Sequence, residues 1–312
     1  MAGSVLAGTS AAQTTIEVPG DEPTVADGLA AADSGDTVAV ASGSFSEPAL
    51  VIGQDDLTLR GVGSGETTIE SQSGGRGITV EGDGVTLEGF TLDGAGGYGL
   101  KLQFASDLSL RDVHATNNGR TGIDLNKTDD PTLTDVVSRN NDGGMGIALR
   151  DLEGATIENA RTGSNGWGGL ALWAPSGESL LGTSVTGSTF ENEQVAGVVV
   201  QYAGPFDASF EGNRIRDNGI GVHVDDAFGE VEGIDGISIR NNDIESNEIG
   251  VLNAESNDEL DAAGNWWGHA SGPGGSDGRT NPAGRVVGKG DSIAGDVDFD
   301  DWLRRPIDHP SR

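Results

Sequence analysis

The sequence predicts an all-β protein in which short parallel strands stack into a solenoid, and three observations lead to this prediction. First, a glycine followed by alternating aliphatic residues recurs at intervals of 22 to 29 residues. Second, the intervals contain further short strand-like segments and turns rich in asparagine and glycine. Third, no segment between residues 55 and 260 shows the apolar spacing of a long helix.

The repeat is defined by anchor glycines, each of which begins the pattern glycine, aliphatic, any residue, aliphatic. Successive anchors are 22, 23, 24, 23, 28, 24 and 29 residues apart, and the pattern is degenerate only after the last one. Such regular spacing indicates that each repeat is one unit stacked on the next. The anchors are Gly77, Gly99, Gly122, Gly146, Gly169, Gly197, Gly221 and Gly250.

A second strand-like segment follows many of the anchored ones, at residues 85–87, 108–110, 155–157, 208–210 and 237–239. We therefore expect about eight to ten coils of a parallel β-solenoid, stacked roughly 4.8 Å apart. Aliphatic side chains should fill the interior. Asparagines in the turns should stack from coil to coil and satisfy backbone groups, and Asn-Gly pairs should supply positive φ. These turns lie at 117–119, 140–141, 165–166, 218–219 and 247.

Both ends of such a solenoid need covers, because an open end exposes apolar core and unpaired strand edges. Near the start of the chain, Val25, Leu29 and Ala32 have the spacing of one apolar face of a short helix. Near the other end, Trp266 and Trp267 can cover the core, and we expect both to be structural rather than ligand-binding.

The chain is predicted to form one domain with short tails. Residues 10–12 before Gln13 look like a signal-peptidase site, although no basic segment precedes them, and we expect an exported protein, outside the cell or on its surface. The predicted division is a disordered tail or signal remnant at 1–15, a single β-helix domain at 16–304 and a tail at 305–312. The domain divides into cap and first coils (16–60), repeat coils (61–260) and C-terminal cap (261–304).

The charge of the chain excludes several classes of function. Asp and Glu number 50 against 18 Lys and Arg, which gives a formal net charge of -32. This balance argues against binding nucleic acid through the phosphate backbone, which needs clustered cations. No cysteine is present, so disulfides and cysteine zinc sites are excluded, and no apolar stretch is long enough to span a membrane. Only three residues are lysine, a composition that suits concentrated salt, where carboxylate repulsion is screened.

The repeats and the two ends of the chain together resemble right-handed parallel β-helix proteins of the pectate-lyase-like superfamily. Residues 23–40 and 43–47 are similar to the superfamily's N-terminal cap, and residues 264–268 (Gly-Asn-Trp-Trp-Gly) and 296–303 are similar to its closing segment. This resemblance covers about residues 16–304. It implies a right-handed parallel β-helix, and the lysine-poor acidity makes it similar to the surface or secreted type found in salt-loving archaea.

The resemblance also implies where a ligand would bind, because enzymes of this superfamily work on the outer face of one sheet. If the anchored strands form that sheet, its outward positions form two columns across the coils. The first column is Thr79, Lys101, Asp124, Ala148, Ala171, Val199 and His223, and the second is Glu81, Gln103, Asn126, Arg150, Trp173, Gln201 and Asp225.

From these columns and the turns beside them we predict a polysaccharide-binding line of Lys101, Asn126, Lys127, Arg150, Trp173, Gln201, Tyr202 and Asp225. Trp173 is expected to offer an exposed face for a sugar, Arg150 to pair with a uronate carboxylate, and Ala148, Ala171 and Val199 to leave room for the chain. The alternative is that Trp173 packs under the loop at 175–181 and Arg150 is a solvated charge.

Three functions stay open. The leading hypothesis is a surface or extracellular protein that binds polysaccharide or cell-surface glycan with little or no catalysis. The alternatives are a polysaccharide lyase or other carbohydrate-active enzyme on uronate polymers, using Asp124, Arg150, His223 and Asp225, and a structural envelope or viral-fibre component. No metal or cofactor is predicted, with bound Ca²⁺ as the alternative, and the sequence does not fix the oligomeric state.

Overall fold

The computed structural model describes residues 13–175, 178–202, 204–225, 231–253, 256, 258–275 and 288–309. In these residues the chain forms one helix and thirty strands. The first part contains β1 (Thr15–Val18), α1 (Val25–Ala31), β2 (Thr37–Val40), β3 (Gly43–Glu47), β4 (Leu50–Ile52), β5 (Thr58–Arg60), β6 (Thr67–Ser71), β7 (Ile78–Val80), β8 (Thr86–Asp93), β9 (Leu100–Gln103) and β10 (Ser109–Thr116).

The central part contains β11 (Ile123–Asn126), β12 (Thr132–Thr134), β13 (Val137–Arg139), β14 (Met145–Arg150), β15 (Thr156–Glu158), β16 (Arg161–Gly163), β17 (Gly168–Trp173), β18 (Leu180–Thr186), β19 (Thr189–Glu191) and β20 (Ala196–Gln201). The last part contains β21 (Phe206–Glu211), β22 (Arg214–Arg216), β23 (Ile220–Val224), β24 (Gly236–Arg240), β25 (Asp243–Glu245), β26 (Ile249–Asn253), β27 (Leu260–Asp261), β28 (Gly274–Gly275), β29 (Ser292–Gly295) and β30 (Val297–Asp298).

All these strands pair in parallel, in two sheets that run the length of the molecule. The eleven-stranded sheet has the order β4-β7-β9-β11-β14-β17-β20-β23-β26-β29-β28, so it contains every anchored strand. The nineteen-stranded sheet consists of two stacks of strands. The long strands β8 and β10 join the stacks, because they pair with each other along the first half, in one stack, and along the second half, in the other. The predicted solenoid is confirmed, with about ten turns.

The core lies inside the coils, as the alternation of the strands predicts. Ile123, Leu149, Leu172 and Val200, on four successive coils, are each at most 1% exposed. Their register is fixed by pairing between neighbouring coils. Since the side-chain period of a strand is two, the residues between them must face outward.

The anchor glycines are explained by close approach of the coils. A Cβ atom on Gly146 would lie 2.8 Å from the carbonyl oxygen of the next anchor, Gly169, and a Cβ on Gly77 would lie 2.7 Å from that of Gly99. Real Cβ atoms essentially never come so close to a carbonyl oxygen. Only glycine lets the strands begin at this spacing, which is why the residue recurs once per coil.

Turn asparagines form the predicted ladder inside the corner before the eleven-stranded sheet. The backbone N–H and side-chain amide of Asn118 both donate to Oδ1 of Asn141, at 3.2 and 2.9 Å, and Asn141 repeats the pattern on Asn165. The ladder then passes through Glu193 to Asn218 and onward. Each buried donor left without a partner would cost about 1–3 kcal/mol, so the ladder fixes the coil spacing.

The positive φ angles of these turns fall one residue earlier than the Asn-Gly pairs suggest. Asn117 and Asn140 have φ of 54° and 55°, whereas Asn118 and Asn141 do not adopt the left-handed region. The second asparagine is the inward ladder residue, and the first makes the turn. The sequence prediction that an Asn-Gly pair supplies the positive φ is therefore wrong at Asn118-Gly119, and the turn at 140–141, which has no Asn-Gly pair, has the same geometry.

Both predicted caps are present. Thr24 is the N-cap of α1, where its side chain accepts a hydrogen bond from the Asp27 N–H at 3.0 Å, and the buried Glu47 carboxylate accepts from the Val25 N–H at 2.8 Å. These contacts satisfy amide groups that a helix start leaves unpaired. The helix buries Val25 and Leu29 against the first coils.

At the other end Trp267 is fully buried and Trp266 is 9% exposed, which confirms their structural role. The final described residues return to the body, where the Ile307 N–H donates to Asp243 at 3.0 Å. In the described part of the chain, no helix is long and apolar enough to cross a membrane. Residues 1–12, predicted as part of a tail, lie outside the described residues.

Candidate functional site

The outer face of the eleven-stranded sheet carries the two predicted columns in register. In the first, Asp124 pairs with Lys101 on one side and with Ala148 on the other. In the second, Arg150 lies between Asn126 and Trp173. Strand pairing therefore places side chains from distant parts of the chain side by side.

A compensated charge cluster lies at the centre of this face. The Asp124 carboxylate is fully buried and is bound on one side by Lys101 and on the other by the Arg150 Nε, at 3.0 Å. A carboxylate without solvent needs such partners, because burying an unpaired charge is costly. Burial lowers the pKa of Lys101, and the Asp124 carboxylate partly offsets the effect.

Cations outnumber this carboxylate around the cluster. The Arg120 guanidinium lies 5.2 Å from the ring centre of Tyr98 and the Lys101 ammonium 5.3 Å from the same ring. Arg76 is close enough to act electrostatically on Lys101. Two cations thus bind the buried carboxylate, and two more, Arg76 and Arg120, lie near Lys101 and the Tyr98 ring, in a chain whose overall charge is strongly negative.

Trp173 is covered by its neighbours. Its side chain is 6% exposed, the Arg150 guanidinium lies 4.1 Å from its ring centre, and Trp167 packs edge-on at 6.5 Å between ring centres. The expectation of an exposed sugar-stacking face is therefore wrong. An indole gains more by covering apolar neighbours and a cation than by remaining in water.

The small residues of the first column form the floor under this tryptophan. Ala148, Ala171 and Val199 pack with Trp173 and Met145 in an apolar cluster separate from the core. All are at most 6% exposed. The room that small side chains leave is thus filled by the protein itself, and the prediction that a ligand lies directly on them is wrong.

A cleft of about 300 Å³ opens beside Trp173, towards the turns that precede the strands. We call it the basic cleft. Its side-chain walls are Tyr98, Arg120, Thr121, Arg150, Trp167, Trp173 and Tyr202. Trp167 is 39% exposed, so the indole open to a ligand is Trp167 rather than Trp173.

Sequence reasoning missed Tyr98, Arg120 and Trp167 because it considered only the strand positions after each anchor glycine. Tyr98 lies one residue before an anchor, and Arg120 and Trp167 lie two residues before theirs. The signal was present in the sequence as large or charged residues at positions that hold glycine in other coils, such as residues 75 and 144.

The other predicted residues lie around the cleft or beyond it. The Lys127 ammonium pairs with Glu178 at 2.8 Å, and Asn126 is half-buried between the coils of Gln103 and Arg150. Further along the face, the Gln201 amide donates to Asp225 at 2.5 Å. Gln201 is fully buried, so its amide N–H is used within the protein.

The four catalytic candidates are not brought together. Asp124 and Arg150 lie on adjacent coils, but His223 is separated from Asp124 by four steps of strand pairing, through Ala148, Ala171 and Val199. At the usual strand spacing this is roughly 19 Å. Asp225 lies beside His223 at the far end, so the four residues cannot act on one reacting centre.

The turns after these strands hold bulky residues in an unusual backbone conformation. Phe104, Lys127 and Tyr202 have φ of 63°, 54° and 75°, in the left-handed region that bulky residues seldom adopt. Phe104 is also 67% exposed. Such positions cluster at functional sites, and here they border the same face as the basic cleft.

Among the described residues, no group of three or more His, Cys, Asp or Glu side chains is placed to hold a metal ion. The acidic segment at 296–301, which is among the described residues, forms no such group either. Near the cleft, the one buried carboxylate of the cluster, Asp124, is already bound by two cationic side chains.

Known proteins share this architecture. A family model described as a right handed beta helix region matches residues 49–190. No curated protein matches the chain in sequence. The solved structure of pectate lyase Pel9A aligns with a TM-score of 0.59 at 12% identity, covering 96% of this chain and 80% of that one.

Two further structures are similar over most of their length. The A-module of mannuronan C-5 epimerase AlgE6 from Azotobacter vinelandii has a TM-score of 0.58 at 19% identity, covering 92% of this chain and 94% of its own. An alginate lyase from Paenibacillus sp. has a TM-score of 0.54 at 17% identity, covering 91% and 99%. The chain is thus a right-handed parallel β-helix, and at these identities the likeness is one of fold.

Proposed function

We propose that this protein binds an acidic polysaccharide in the basic cleft on the outer face of the eleven-stranded sheet. The observation that carries the proposal is the local reversal of charge. Lys101 and Arg150 bind a single buried carboxylate, and Arg76 and Arg120 lie near Lys101 and Tyr98 without a salt bridge to a described residue, in a chain with 50 acidic and 18 basic residues. A cluster of cations on an acidic protein is best explained by an anionic ligand.

The chemistry of the cleft suits a sugar acid. Guanidinium groups pair with carboxylates in a fixed geometry, and Arg120 forms no salt bridge with a described residue. The partly exposed Trp167 gives the apolar face of a sugar ring a surface to cover. Cation and indole together select a ring that carries a negative charge.

The cleft also runs in a direction that suits a polymer. It crosses coils from Tyr98 to Tyr202, four pairing steps along the sheet, or roughly 19 Å. That length corresponds to several sugar units of an extended polysaccharide. The polymers named for the structural neighbours, pectate and alginate, are uronates and are the first ligands to test.

The test compares binding of polygalacturonate, alginate and neutral dextran by isothermal titration calorimetry, at the lowest salt in which the protein stays folded. We expect binding of the two acidic polymers and none of dextran. Arg120→Ala should weaken binding by about tenfold or more, since it removes one charge-assisted contact. Trp167→Ala should weaken it as well. Both side chains are partly exposed, so the variants should fold.

Arg111→Ala is the matched control, because it removes an exposed arginine on the other sheet and changes the net charge equally. Equal affinity for dextran and the acidic polymers, or affinity unchanged in both cleft variants, would contradict the proposal. Trp173→Ala is a poor test by comparison, since loss of that buried side chain also disrupts packing.

A second candidate function is β-elimination on the same uronate polymers. The observation in its favour is that burial lowers the pKa of Lys101, the direction that a proton-abstracting amine requires, beside Arg150, which can hold a substrate carboxylate. The test is absorbance of unsaturated product, with Lys101→Ala as the inactive variant. Absence of product from both polymers, with and without Ca²⁺, would exclude this candidate.

We propose further that the protein acts outside the cell in concentrated salt. The acidic, lysine-poor composition supports the proposal, because carboxylate repulsion at a net charge of -32 destabilises the fold unless salt screens it. Fractionation of the source cells with detection by antibody tests the location. Recovery of the protein only from the interior would contradict it.

A further inference from the structure

A second column of cations lies on the other side of the molecule, on the nineteen-stranded sheet. There β16, β19, β22 and β25 stack in parallel, and their first residues are in register. These residues are Arg161, Thr189, Arg214 and Asp243. Two arginines are therefore separated by one threonine, on three successive coils.

The neighbouring column of the same strands shows which group fits between arginines on this sheet. Glu191 accepts hydrogen bonds from Arg216 Nη2 at 2.6 Å and Nε at 3.1 Å, and it also contacts Arg139 at 3.4 Å. A carboxylate of the protein thus neutralises the cations of that column. In the Arg161 column, Thr189 takes the corresponding place and supplies no charge.

The side chains of Arg161 and Arg214 form no hydrogen bond or ion pair with a described residue. In a chain with 50 acidic residues against 18 basic ones, two arginine side chains without an acidic partner, two coils apart in one column, are unexpected. The guanidinium groups have five donors each and are well suited to a planar carboxylate.

These arginines line a cavity of about 480 Å³. Its outer wall is the C-terminal segment from Ile307 to His309, which is held in place at Asp243. The Ile307 N–H donates to one oxygen of Asp243 at 3.0 Å, and His309 Nε2 lies 2.9 Å from the other. The cavity is within the size range of small-molecule sites.

Two carboxylates, Glu211 and Asp308, also line the cavity, and neither forms an ion pair with Arg161 or Arg214. Carboxylates accept hydrogen bonds from hydroxyl groups. The lining therefore has guanidinium groups for an acid and carboxylates for hydroxyls, with Thr189 between them.

We propose that this cavity binds a hydroxylated carboxylic acid of about the size of a single sugar acid. The ligand's carboxylate lies between Arg161 and Arg214, the position that Glu191 holds in the neighbouring column, and its hydroxyls reach Glu211 and Asp308. The site lies on a different sheet from the basic cleft and does not depend on the function proposed there.

The experiment titrates galacturonic acid into the full chain by calorimetry, with galactose and acetate as comparison ligands. Thr189→Glu places the protein's own carboxylate between the arginines and should abolish the binding of galacturonic acid at this cavity. Arg214→Ala should weaken binding by about tenfold or more. Circular dichroism at the same salt shows whether each variant keeps its β-sheet signal.

Because galacturonic acid is also a fragment of an acidic polymer, every titration is repeated in Arg120→Ala, which alters only the basic cleft. Binding that survives Arg120→Ala and is lost in Thr189→Glu supports the cavity. Binding unchanged in a folded Thr189→Glu, or no saturable binding in the Arg120→Ala background, overturns the proposal. Equal affinity for acetate overturns the assignment to a sugar acid, since the cavity would then select charge alone.

Discussion

Glu193 takes an asparagine's place in the ladder and makes the stability of the protein depend on pH. Its carboxylate accepts hydrogen bonds from the Asn165 backbone N–H at 2.8 Å and from the Asn165 side-chain amide at 3.2 Å, and the side chain is 4% exposed. Burial raises its pKa from 4.5 to about 7, although contacts with Thr162, Asn165 and Arg139 act in the opposite direction.

The raised pKa of Glu193 determines how the free energy of unfolding changes with pH. In the unfolded chain the carboxyl group ionises near pH 4.5, whereas in the folded protein it ionises only near pH 7, so the unfolded state binds fewer protons between these values. The free energy of unfolding therefore falls as pH rises through this window. A difference of roughly 2.5 pKa units corresponds to about 3 kcal/mol above pH 7.

Glu193→Gln removes this penalty and restores the amide chemistry of the ladder. Its Oε1 can accept both hydrogen bonds from Asn165, as Oδ1 of Asn141 accepts both from Asn118. At pH 8 the variant should be more stable by about 3 kcal/mol, or about 5 °C in melting temperature for a chain of this length. At pH 4.5 the two proteins should differ little.

Thermal unfolding followed by circular dichroism at constant high salt, from pH 4.5 to pH 8, measures this difference. Glu153→Gln is the matched control, because Glu153 is exposed and its replacement removes the same charge. A melting-temperature difference between wild type and Glu193→Gln that stays constant with pH would refute the reasoning. So would a wild-type protein that is the more stable of the two at pH 8.

Three further predictions concern packing and salt. Gly146→Ala brings a Cβ within 2.8 Å of a backbone carbonyl and should lower the free energy of unfolding by about 1–3 kcal/mol in denaturant titration. Asn141→Ala leaves two buried donors of Asn118 unpaired and should lower the free energy of unfolding by about 2–6 kcal/mol, whereas a loss below about 1 kcal/mol would argue against the ladder. Finally, the melting temperature should rise steadily with KCl concentration, and a salt-independent value would contradict the role given to the net charge.

The sequence alone was sufficient for the fold because the evidence for it is local and repeated. The anchor glycines indicate where the coils approach each other closely, and the alternation of aliphatic residues indicates which side of each strand is buried. One coil would be ambiguous, but seven similar intervals make the register predictable. The order of side chains along the outer face, from Lys101 to His223, follows from that register.

Tertiary contacts decide how far those outer side chains are exposed to solvent. The sequence indicates that Asp124 and Trp173 face outward. It does not show that Lys101 and Arg150 bury Asp124, or that Arg150 and Trp167 cover Trp173. Whether an outward side chain is exposed depends on the lengths and charges of its neighbours on adjacent coils.

The repeat pattern also does not predict which residues line the basic cleft and the cavity. Arg120 and Trp167 lie in turns of variable length, and the cavity beside Arg161 exists because residues 307–309 return to Asp243, more than sixty positions away in the chain. The repeat thus determined the coil and its inward and outward faces, since each coil copies the same local pattern. The packing of side chains between coils, and of the chain end against them, joins residues that no short pattern relates, and only the tertiary structure could place them.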